Sequence, residues 1–540
     1  MRLNPSLAWR AAPVGALLLL AGLLQAWSLA WPFGWLLPRG EPVAGLQILT
    51  LAALIWQLQR AATARAAFWH GWGFATAWLA ATFWWLYVSM HVYGGLPAPL
   101  ATLGVLALAG ALALYYGLAA MLYWRWRAAG LRWRLPAFVA LWTLAELARG
   151  TLFTGFPWGA GGYAQVDALA PLASWVGVYG MGALAAALAL LAAGSWQLLS
   201  CADRARASVP LLARAAATAC LGALALLCWP GLAQRWAALV PVWTEPAGRL
   251  GVVLLQGNIP QDEKFQPGSG VPLALSWYGQ QARAALLRGD RSLVVAPETA
   301  IPLLPQQLSP DWWQPLLQAV EQGQAALTLG LPTGSLEQGY ANSALSWLPG
   351  AREPLRYDKH HLVPFGEFIP TGFRWFTDLM QIPLGDFRRG ALVQPTLDWA
   401  GQRIAPNICY EDLFGEELAR SFADPARTPT VLLNLSNIAW FGDTVAIDQH
   451  RQIARLRALE LQRPMLRATN TGATLAIDHL GRVRHELPRL TRAQLDAEVE
   501  GRAGLTPYAR WAGRHGLWPL ALLCLAVVLL GWRRTGLSHP

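Results

Sequence analysis

The first 235 residues consist mainly of long apolar runs separated by short polar loops. About 20 apolar residues are needed to cross the hydrocarbon core of a bilayer. We predict seven membrane-spanning helices in this part of the chain, near residues 12–31, 42–58, 67–90, 97–124, 136–154, 171–199 and 211–233. An eighth apolar run lies near residues 516–532. The first run has an alternative interpretation as a cleaved signal peptide, because such peptides are also apolar and N-terminal.

Between the seventh and eighth runs the pattern changes to that of a water-exposed α/β domain. Short β-rich stretches lie near residues 250–255, 293–296, 325–331, 341–348, 403–409, 430–434, 465–469 and 474–478. Helical periodicity predicts helices near residues 271–288, 311–322, 413–422 and 446–462. We therefore predict three parts: a membrane domain (1–235), an α/β domain (236–512), and a last span with its tail (513–540).

The composition and the placement of charge support this division. The chain is 55% hydrophobic and 14% charged, whereas about 25% of residues are charged in a typical globular protein. The net charge of +11 does not indicate a nucleic-acid partner, because arginines concentrate in alternate loops between the apolar runs, as in Arg125, Arg127, Arg132 and Arg134. Positively charged loops stay in the cytoplasm. We therefore expect both termini in the cytoplasm and residues 236–512 on the opposite, periplasmic side.

The five cysteines occupy positions 201, 220, 228, 409 and 524. Cys409 is the one cysteine in the predicted α/β domain, so that domain cannot form an internal disulfide. His360 and His361 are adjacent, and their side chains diverge in an extended chain. No CxxC or CxxH spacing accompanies them, so we expect neither a metal site nor a cofactor.

Three segments of the α/β domain each place one reactive side chain at the end of a predicted strand. Glu298 follows Leu293-Val-Val-Ala-Pro, Lys359 follows Tyr357-Asp, and Cys409 follows Ile404-Ala-Pro-Asn-Ile. Sites in α/β sheets form beyond the carboxyl ends of strands. A thiol attacks a carbonyl only as a thiolate, which requires a base and a positive neighbour. Each residue taken alone also has a structural interpretation: a small core side chain, a loop carboxylate and a turn charge.

The three segments, in this order, resemble the Glu, Lys and Cys motifs of the nitrilase superfamily. With the eight apolar runs, the chain resembles the apolipoprotein N-acyltransferases, a membrane-embedded branch of that superfamily. Further motifs support the resemblance: Gly155-Phe-Pro-Trp-Gly, Gln256-Gly-Asn-Ile-Pro-Gln261, Pro364-Phe-Gly-Glu367, Asn407-Ile-Cys-Tyr-Glu411, Asn434-Leu-Ser-Asn-Ile-Ala-Trp-Phe-Gly442, Ala468-Thr-Asn-Thr-Gly472 and Leu505-Thr-Pro-Tyr-Ala-Arg510.

The resemblance implies an αββα sandwich joined to a polytopic helical membrane bundle. It also implies a two-step reaction in the inner membrane of a bacterium. Cys409 would take an acyl chain from a phospholipid, typically phosphatidylethanolamine, and pass it to the α-amine of a diacylglyceryl-cysteine apolipoprotein. Glu298 would be the general base and Lys359 the oxyanion stabiliser. We expect the enzyme to act as a monomer.

The family motifs also assign supporting residues. Glu367 would lie near the lysine and the cysteine, and Tyr410 and Glu411 would support the nucleophile and its pocket. Three positions depart from the family pattern: Ala296 and Phe265 replace tryptophans, and Ile438 replaces an aspartate. The departures concern substrate positioning more than chemistry. The candidate substrate-binding residues are Phe265, Trp440 and Phe441.

Several alternatives remain open from the sequence. A membrane-tethered amidase would use the same three residues with water as acceptor. A transporter or receptor with an extracytoplasmic domain is a rival from another class, although we find no paired halves. Glu146 and Arg149 can meet on one face of the fifth span, for anchoring or for lining a site. Candidate lids lie near 301–311 and 371–390, because Phe373, Trp375, Phe376 and Phe387 could dip into lipid.

Overall fold

The computed structural model describes residues 5–200, 210–227, 237–370 and 387–536, together with the single positions 229, 235 and 372. The chain divides into two compact units. The first comprises residues 1–84, 99–241 and 517–540, and the second comprises residues 85–98 and 242–516.

The first unit is helical. Each of the eight predicted apolar runs overlaps one of its helices: α1 (Pro5–Trp27), α2 (Ala44–Arg60), α3 (Ala64–Thr82), α4 (Ala98–Tyr123), α5 (Leu131–Thr151), α6 (Ala170–Ser200), α7 (Leu211–Leu227) and, at the end of the chain, α13 (Trp518–Gly536). Aromatic rings from α3, α4 and α5 pack together inside this unit. Trp78, Tyr116 and Trp142 form the centre of that cluster, with ring centroids 4.8–6.3 Å apart.

The structure does not confirm the prediction of eight spans. Among the described residues, two helices are long and apolar enough to cross a membrane, Ala98–Trp126 and Ala170–Ser200. A third span is added if the bent pair Pro507–His515 and Trp518–Arg533 counts as one. Shorter apolar helices occur at Pro13–Trp27 and Leu211–Leu227. The structure therefore shows apolar helices, and the full count of spans belongs to the proposals below.

The predicted third span, 67–90, is wrong at its carboxyl end. Helix α3 ends at Thr82, and residues 85–98 belong to the second unit. There Trp85 is buried, and its indole Nε1 donates to Gln449 Oε1 at 3.0 Å. A short π-helix, Val88–Tyr93, follows. An aromatic run has the same composition whether a bilayer or a protein core buries it, so hydropathy could not locate this boundary.

The charged pair in α5 fastens the loop that follows this helix. Arg149 Nη1 donates to the carbonyls of Phe156 at 2.6 Å and Trp158 at 2.8 Å, and its Nε donates to the Tyr116 hydroxyl at 2.9 Å. Glu146 Oε1 accepts from the backbone N–H of Gly161 at 3.1 Å. A loop among apolar helices has backbone groups that water cannot satisfy. These contacts support the anchoring interpretation of the pair.

The second unit contains two six-stranded sheets. The first sheet has the order β12-β1-β2-β3-β4-β5 and the second β11-β10-β9-β8-β7-β6. The strands are β1 (Glu245–Gln256), β2 (Leu293–Val295), β3 (Ala326–Ser335), β4 (Gly339–Trp347), β5 (Leu355–Asp358), β6 (Leu397–Trp399), β7 (Gln402–Ile408), β8 (Val431–Ser436), β9 (Met465–Thr469), β10 (Leu475–Ile477), β11 (Val483–Glu486) and β12 (Ala493–Ala503). All eight predicted strands are present, and β5, β6, β11 and β12 were not predicted.

The layers follow the αββα order that the family resemblance implied. Apolar residues of both sheets meet in one buried core, which includes Val252, Val295, Ile404 and Leu433. Helices α8 (Gly270–Leu286) and α9 (Pro310–Gly323) pack on the outer face of the first sheet. Helix α11 (Val445–Leu461) packs on β9 and β10 of the second sheet. Helices α10 (Gly415–Ala419) and α12 (Pro507–His515) complete the unit.

Replacing Arg149 tests how much this anchored loop contributes to stability. In Arg149→Met, the carbonyls of Phe156 and Trp158 lose their donors inside a buried loop, which costs about 1–3 kcal/mol for each unsatisfied group. We expect a clear drop in the thermal unfolding midpoint of the detergent-purified protein. Arg132→Met, at an exposed position of the same helix, is the matched control and should unfold like the wild type. Equal midpoints for all three proteins would contradict this role.

Candidate active site

The predicted Glu, Lys and Cys residues are brought together by strand ends from both sheets. Glu298 lies just beyond β2 and Lys359 just beyond β5, both in the first sheet, whereas Cys409 follows β7 of the second sheet. Lys359 Nζ lies 3.1 Å from Glu298 Oε1. Both charged side chains are buried, with 1% of Lys359 and 6% of Glu298 exposed. The two sheets therefore meet at one edge with a buried ion pair beside a thiol.

Glu367 completes the ion pair as a second carboxylate. Its Oε1 lies 2.9 Å from Lys359 Nζ, and its Oε2 accepts from the backbone N–H of Val363 at 2.8 Å. Asn342 Nδ2, from β4, donates to Oε1 of both Glu298 and Glu367 at 2.7 Å. Lys359 is thus fixed between two carboxylates that a single amide also joins.

The charges of the cluster oppose the effect of burial. Burial would raise the pKa of Glu298, but Lys359, Asn342 and the backbone N–H of Asn437, which donates to Oε2 at 2.7 Å, hold it below its ordinary value. Burial would lower the pKa of Lys359, but Glu298 and Glu367 raise it above its ordinary value. At neutral pH the carboxylate and the ammonium are therefore both charged.

The thiol itself is protonated at rest. Burial and the charge of Glu298 raise the pKa of Cys409 to about 12, although Lys359 acts in the opposite direction. A nucleophile with this pKa needs a base to remove its proton, and the carboxylate of Glu298 belongs to the same cluster. Cys409 also has a φ of +52°, a left-handed conformation that costs a residue with a Cβ about 1–2 kcal/mol.

Glu411 ties the lysine segment to the cysteine segment. Its Oε1 accepts from the backbone N–H groups of His360 at 2.6 Å and His361 at 3.1 Å. Its Oε2 accepts from the Tyr357 hydroxyl at 2.8 Å and the backbone N–H of Ile408 at 2.6 Å. Burial raises the pKa of Glu411 to about 7, against the effect of these donors. The carboxylate fixes the distance between two strand ends of different sheets.

The other predicted site residues are all aromatic, namely Tyr410, Phe265, Trp440 and Phe441. The Tyr410 ring packs against those of His361 and Phe414, with centroids 5.6 and 5.2 Å away. Phe265 is 52% exposed. The Phe441 ring lies 4.2 Å from that of Trp85, and the Trp440 ring lies 6.1 Å from that of Tyr93.

The two histidines make separate polar contacts. His360 Nδ1 pairs with the Gly390 carbonyl and His361 Nδ1 with the carboxylate of Glu417. In the part of the chain that the structure describes, no group of three His, Cys, Asp or Glu side chains is placed to hold a metal ion. Of the candidate lid residues, Phe373, Trp375 and Phe376 lie outside the described residues.

Sequence reasoning missed three polar residues of the site. Asn342 and Asn437 are described above; an amide within or after a strand carries no pattern that predicts a partner. The third is Lys264, which precedes Phe265 in the sequence. It is 1% exposed, and its Nζ lies 3.3 Å from the carbonyl oxygen of Glu298. Burial lowers the pKa of Lys264 to about 7, although the charges of Glu298 and Cys409 oppose that shift.

Comparison with known proteins places the chain in a family. Residues 21–191 match the model of the apolipoprotein N-acyltransferase N-terminal domain, and residues 256–508 match that of carbon-nitrogen hydrolases. Apolipoprotein N-acyltransferase of Verminephrobacter eiseniae is 54% identical, with 96% of this chain and 95% of the relative covered. The enzyme of Ralstonia nicotianae is 43% identical, with 97% and 94% covered. The chain belongs to the apolipoprotein N-acyltransferase family.

Solved structures match about half of this chain. A carbon-nitrogen hydrolase superfamily protein from Xanthomonas campestris covers 51% of this chain and 97% of its own length, with 20% identity and a TM-score of 0.35. The apolipoprotein N-acyltransferase family membership itself rests on the two models and on the full-length relatives. The predicted α/β fold with two sheets is confirmed.

A Glu411→Gln substitution tests the link between the two strand ends. The amide NH2 of glutamine would face backbone N–H donors, so at least one pair of donors would oppose each other. We expect a loss of stability of about 1–3 kcal/mol, the cost of an unsatisfied buried group, and a larger loss of acyl-transfer activity than this destabilisation accounts for. Activity would be measured at a temperature where the variant is folded. Glu498→Gln, at an exposed position, is the control. Wild-type activity in folded Glu411→Gln would contradict the role.

Proposed function

We propose that this enzyme transfers an acyl chain from a phospholipid to the α-amine of the diacylglyceryl-cysteine that begins an apolipoprotein. Membership of the apolipoprotein N-acyltransferase family supports this substrate pair. The observation that carries the chemistry is a half-buried thiol beside a carboxylate and an ammonium that are in direct contact. Phosphatidylethanolamine is the expected donor, and the reaction needs neither a metal nor a cofactor.

The first step forms a thioester. Glu298 takes the proton of Cys409, and Sγ attacks the ester carbonyl of the phospholipid. The carbonyl oxygen becomes an oxyanion, which the positive charge of Lys359 stabilises. When the tetrahedral intermediate collapses, the C–O bond to the glycerol breaks and Glu298 returns the proton to the departing oxygen. A lysophospholipid leaves, and the acyl chain stays on Cys409.

The second step transfers the chain to the acceptor. The neutral α-amine attacks the thioester carbonyl, and Lys359 again stabilises the oxyanion. Glu298 takes the proton that the amine nitrogen loses and returns it to Sγ as the C–S bond breaks. The products are an amide on the lipoprotein and the free thiol. One carboxylate thus acts as base and acid in both steps. The backbone N–H of Asn437 donates to its Oε2 and so holds the carboxylate in a fixed orientation.

The remaining site residues hold or guide these groups. Glu367 and Asn342 hold the side chains of Lys359 and Glu298 in position, and Glu411 joins the two strand ends. Tyr410 supports the nucleophile segment. Phe265, Trp440 and Phe441 are the proposed contacts for the apolar parts of the substrates, since they are aromatic and none of them is fully buried.

An amidase would run the same chemistry with water as acceptor. Similarity over nearly the whole chain, including the N-terminal membrane part, favours transfer over this alternative. An enzyme that takes its acyl chain from a membrane lipid has a reason to contain many apolar helices, whereas a membrane tether needs only one spanning helix. We therefore propose eight spans, with both termini in the cytoplasm, the second unit in the periplasm of a bacterial inner membrane, and a monomeric enzyme. The alternation of arginine-rich loops supports this topology.

A reconstituted transfer assay tests the proposal. Purified enzyme would receive phosphatidylethanolamine with a labelled acyl chain and a synthetic diacylglyceryl-cysteine peptide. We expect labelled triacylated peptide and an equal amount of lysophospholipid. Cys409→Ala should abolish both products, and Glu298→Gln and Lys359→Met should each lower the rate by about 10²–10⁴-fold, the usual contribution of a general base or an oxyanion donor.

Two controls make the assay decisive. A peptide with an acetylated α-amine should give no product, and Arg249→Met, which removes an exposed positive charge, should keep the wild-type rate. Release of labelled fatty acid with no labelled peptide would identify a hydrolase and overturn the proposal.

A further inference from the structure

A second charge cluster lies behind the Cys409 turn, and the reaction described above does not use it. It consists of Asp412, His450 and Arg467. Asp412 Oδ1 lies 2.8 Å from His450 Nε2, and its Oδ2 lies 2.7 Å from Arg467 Nη1. Arg467 Nη2 lies 2.5 Å from His450 Nδ1. At most 1% of each residue is exposed. Three ionisable side chains therefore form a closed triangle in the protein interior.

The hydrogen bonds define the charge of each member. A guanidinium can only donate, so His450 Nδ1 accepts from Arg467 and His450 Nε2 carries the proton that it donates to Asp412. Burial and the charge of Arg467 hold the pKa of His450 below its ordinary value. Burial would raise the pKa of Asp412, but its two partners keep it below its ordinary value. The cluster thus holds one negative, one neutral and one positive group.

Each member comes from a different element. Asp412 belongs to the short turn Cys409–Leu413 that follows β7, His450 to α11, and Arg467 to β9. A second arginine of α11 supports the same turn, because Arg457 Nη1 donates to the carbonyls of Leu413 at 3.1 Å and Asp412 at 3.4 Å. The turn that bears the nucleophile is therefore fixed from behind by a helix and a strand.

The adjacent carboxylates Glu411 and Asp412 bind on opposite sides of this turn. Glu411 connects it to the lysine segment, and Asp412 connects it to α11 and β9. Cys409 sits at the start of the turn with a φ of +52°. A residue keeps such a backbone conformation only when its surroundings over-determine it. The two anchors supply that constraint.

The cluster also acts on the thiol through its charge. Among the groups that bear on Cys409, Glu298 makes the thiolate less favourable, whereas Lys359 and Arg467 make it more favourable. Lys264 also interacts with the thiolate. Asp412 partly neutralises Arg467, so it limits how much positive charge the sulfur experiences.

We propose that Asp412, His450 and Arg467 are positioning residues that hold the Cys409 turn and balance the charge acting on the thiol. In this account His450 transmits no proton. It fills the gap between the other two side chains and fixes their distance. The inference rests on the proposed role of Cys409 as the nucleophile.

The proposal predicts that two substitutions, each of which removes one charge, shift the pH dependence of the Cys409 thiol in opposite directions. Arg467→Met removes a positive charge near the sulfur and should raise the pH at which the thiol reacts. Asp412→Asn is nearly isosteric and leaves Arg467 without its counter-charge, so it should lower that pH. A group that only stabilises the fold would shift both variants in the same direction or not at all.

The rate of Cys409 alkylation by iodoacetamide, measured against pH, tests the proposal. Peptide mass spectrometry would quantify the Cys409 peptide separately from those of the other cysteines, and the assay needs no acyl transfer. We expect midpoints shifted by about one pH unit in opposite directions, which is roughly a tenfold change in thiolate at a fixed pH. The double variant should return towards the wild-type midpoint.

Two further variants complete the design. Arg484→Met removes an exposed arginine that pairs with Asp478 and should keep the wild-type midpoint. His450→Gln removes no charge, so its midpoint should stay unchanged while its acyl-transfer rate falls. If Arg467→Met does not fold, the direction of the Asp412→Asn shift alone decides. A raised or unchanged midpoint in Asp412→Asn would overturn the proposal, even if the transfer assay succeeds.

Discussion

The site depends on one buried ammonium held between two carboxylates. Lys359 contacts Glu298 and Glu367 within 3.1 Å, and Asn342 joins the two acids. Removing one member of such a cluster leaves an uncompensated charge in a medium that solvates it poorly. The same contacts keep Glu298 ionised beside a thiol that is protonated at rest. The arrangement therefore brings a base (Glu298), a protonated thiol (Cys409) and a cation (Lys359) together at the place where a substrate carbonyl group would react.

The two sheets must keep a fixed spacing for this arrangement to work, because the acid and the lysine come from one sheet and the cysteine from the other. Glu411 sets that spacing with four hydrogen bonds to two segments of chain, one from each sheet. The strained turn at Cys409 is fixed on its other side by residues of α11 and β9. Hydrophobic contact between the sheets aligns the layers, and buried polar groups position the reacting atoms.

The sequence predicted the parts of the structure that repeat a simple pattern. Strand ends located Glu298, Lys359 and Cys409, because reactive side chains there interrupt apolar runs. The partners of these residues were missed: Asn342 lies inside a strand and Lys264 in a turn, and neither carries a periodic signal. Strand β12 does alternate, with Leu495 and Val499 buried, but its many charges concealed the pattern. The run around Trp85 was predicted to lie in the membrane because apolar aromatic residues are equally suited to a bilayer and to a protein core.

The most direct test of the central claim is intact-protein mass spectrometry of enzyme incubated with phosphatidylethanolamine and no acceptor. The account predicts a mass gain of one acyl chain, removed by hydroxylamine, absent in Cys409→Ala, and lost when a diacylglyceryl-cysteine peptide is added. A folded enzyme that consumes no phospholipid and gains no mass, yet acylates the peptide when both are present, would contradict a covalent intermediate on Cys409.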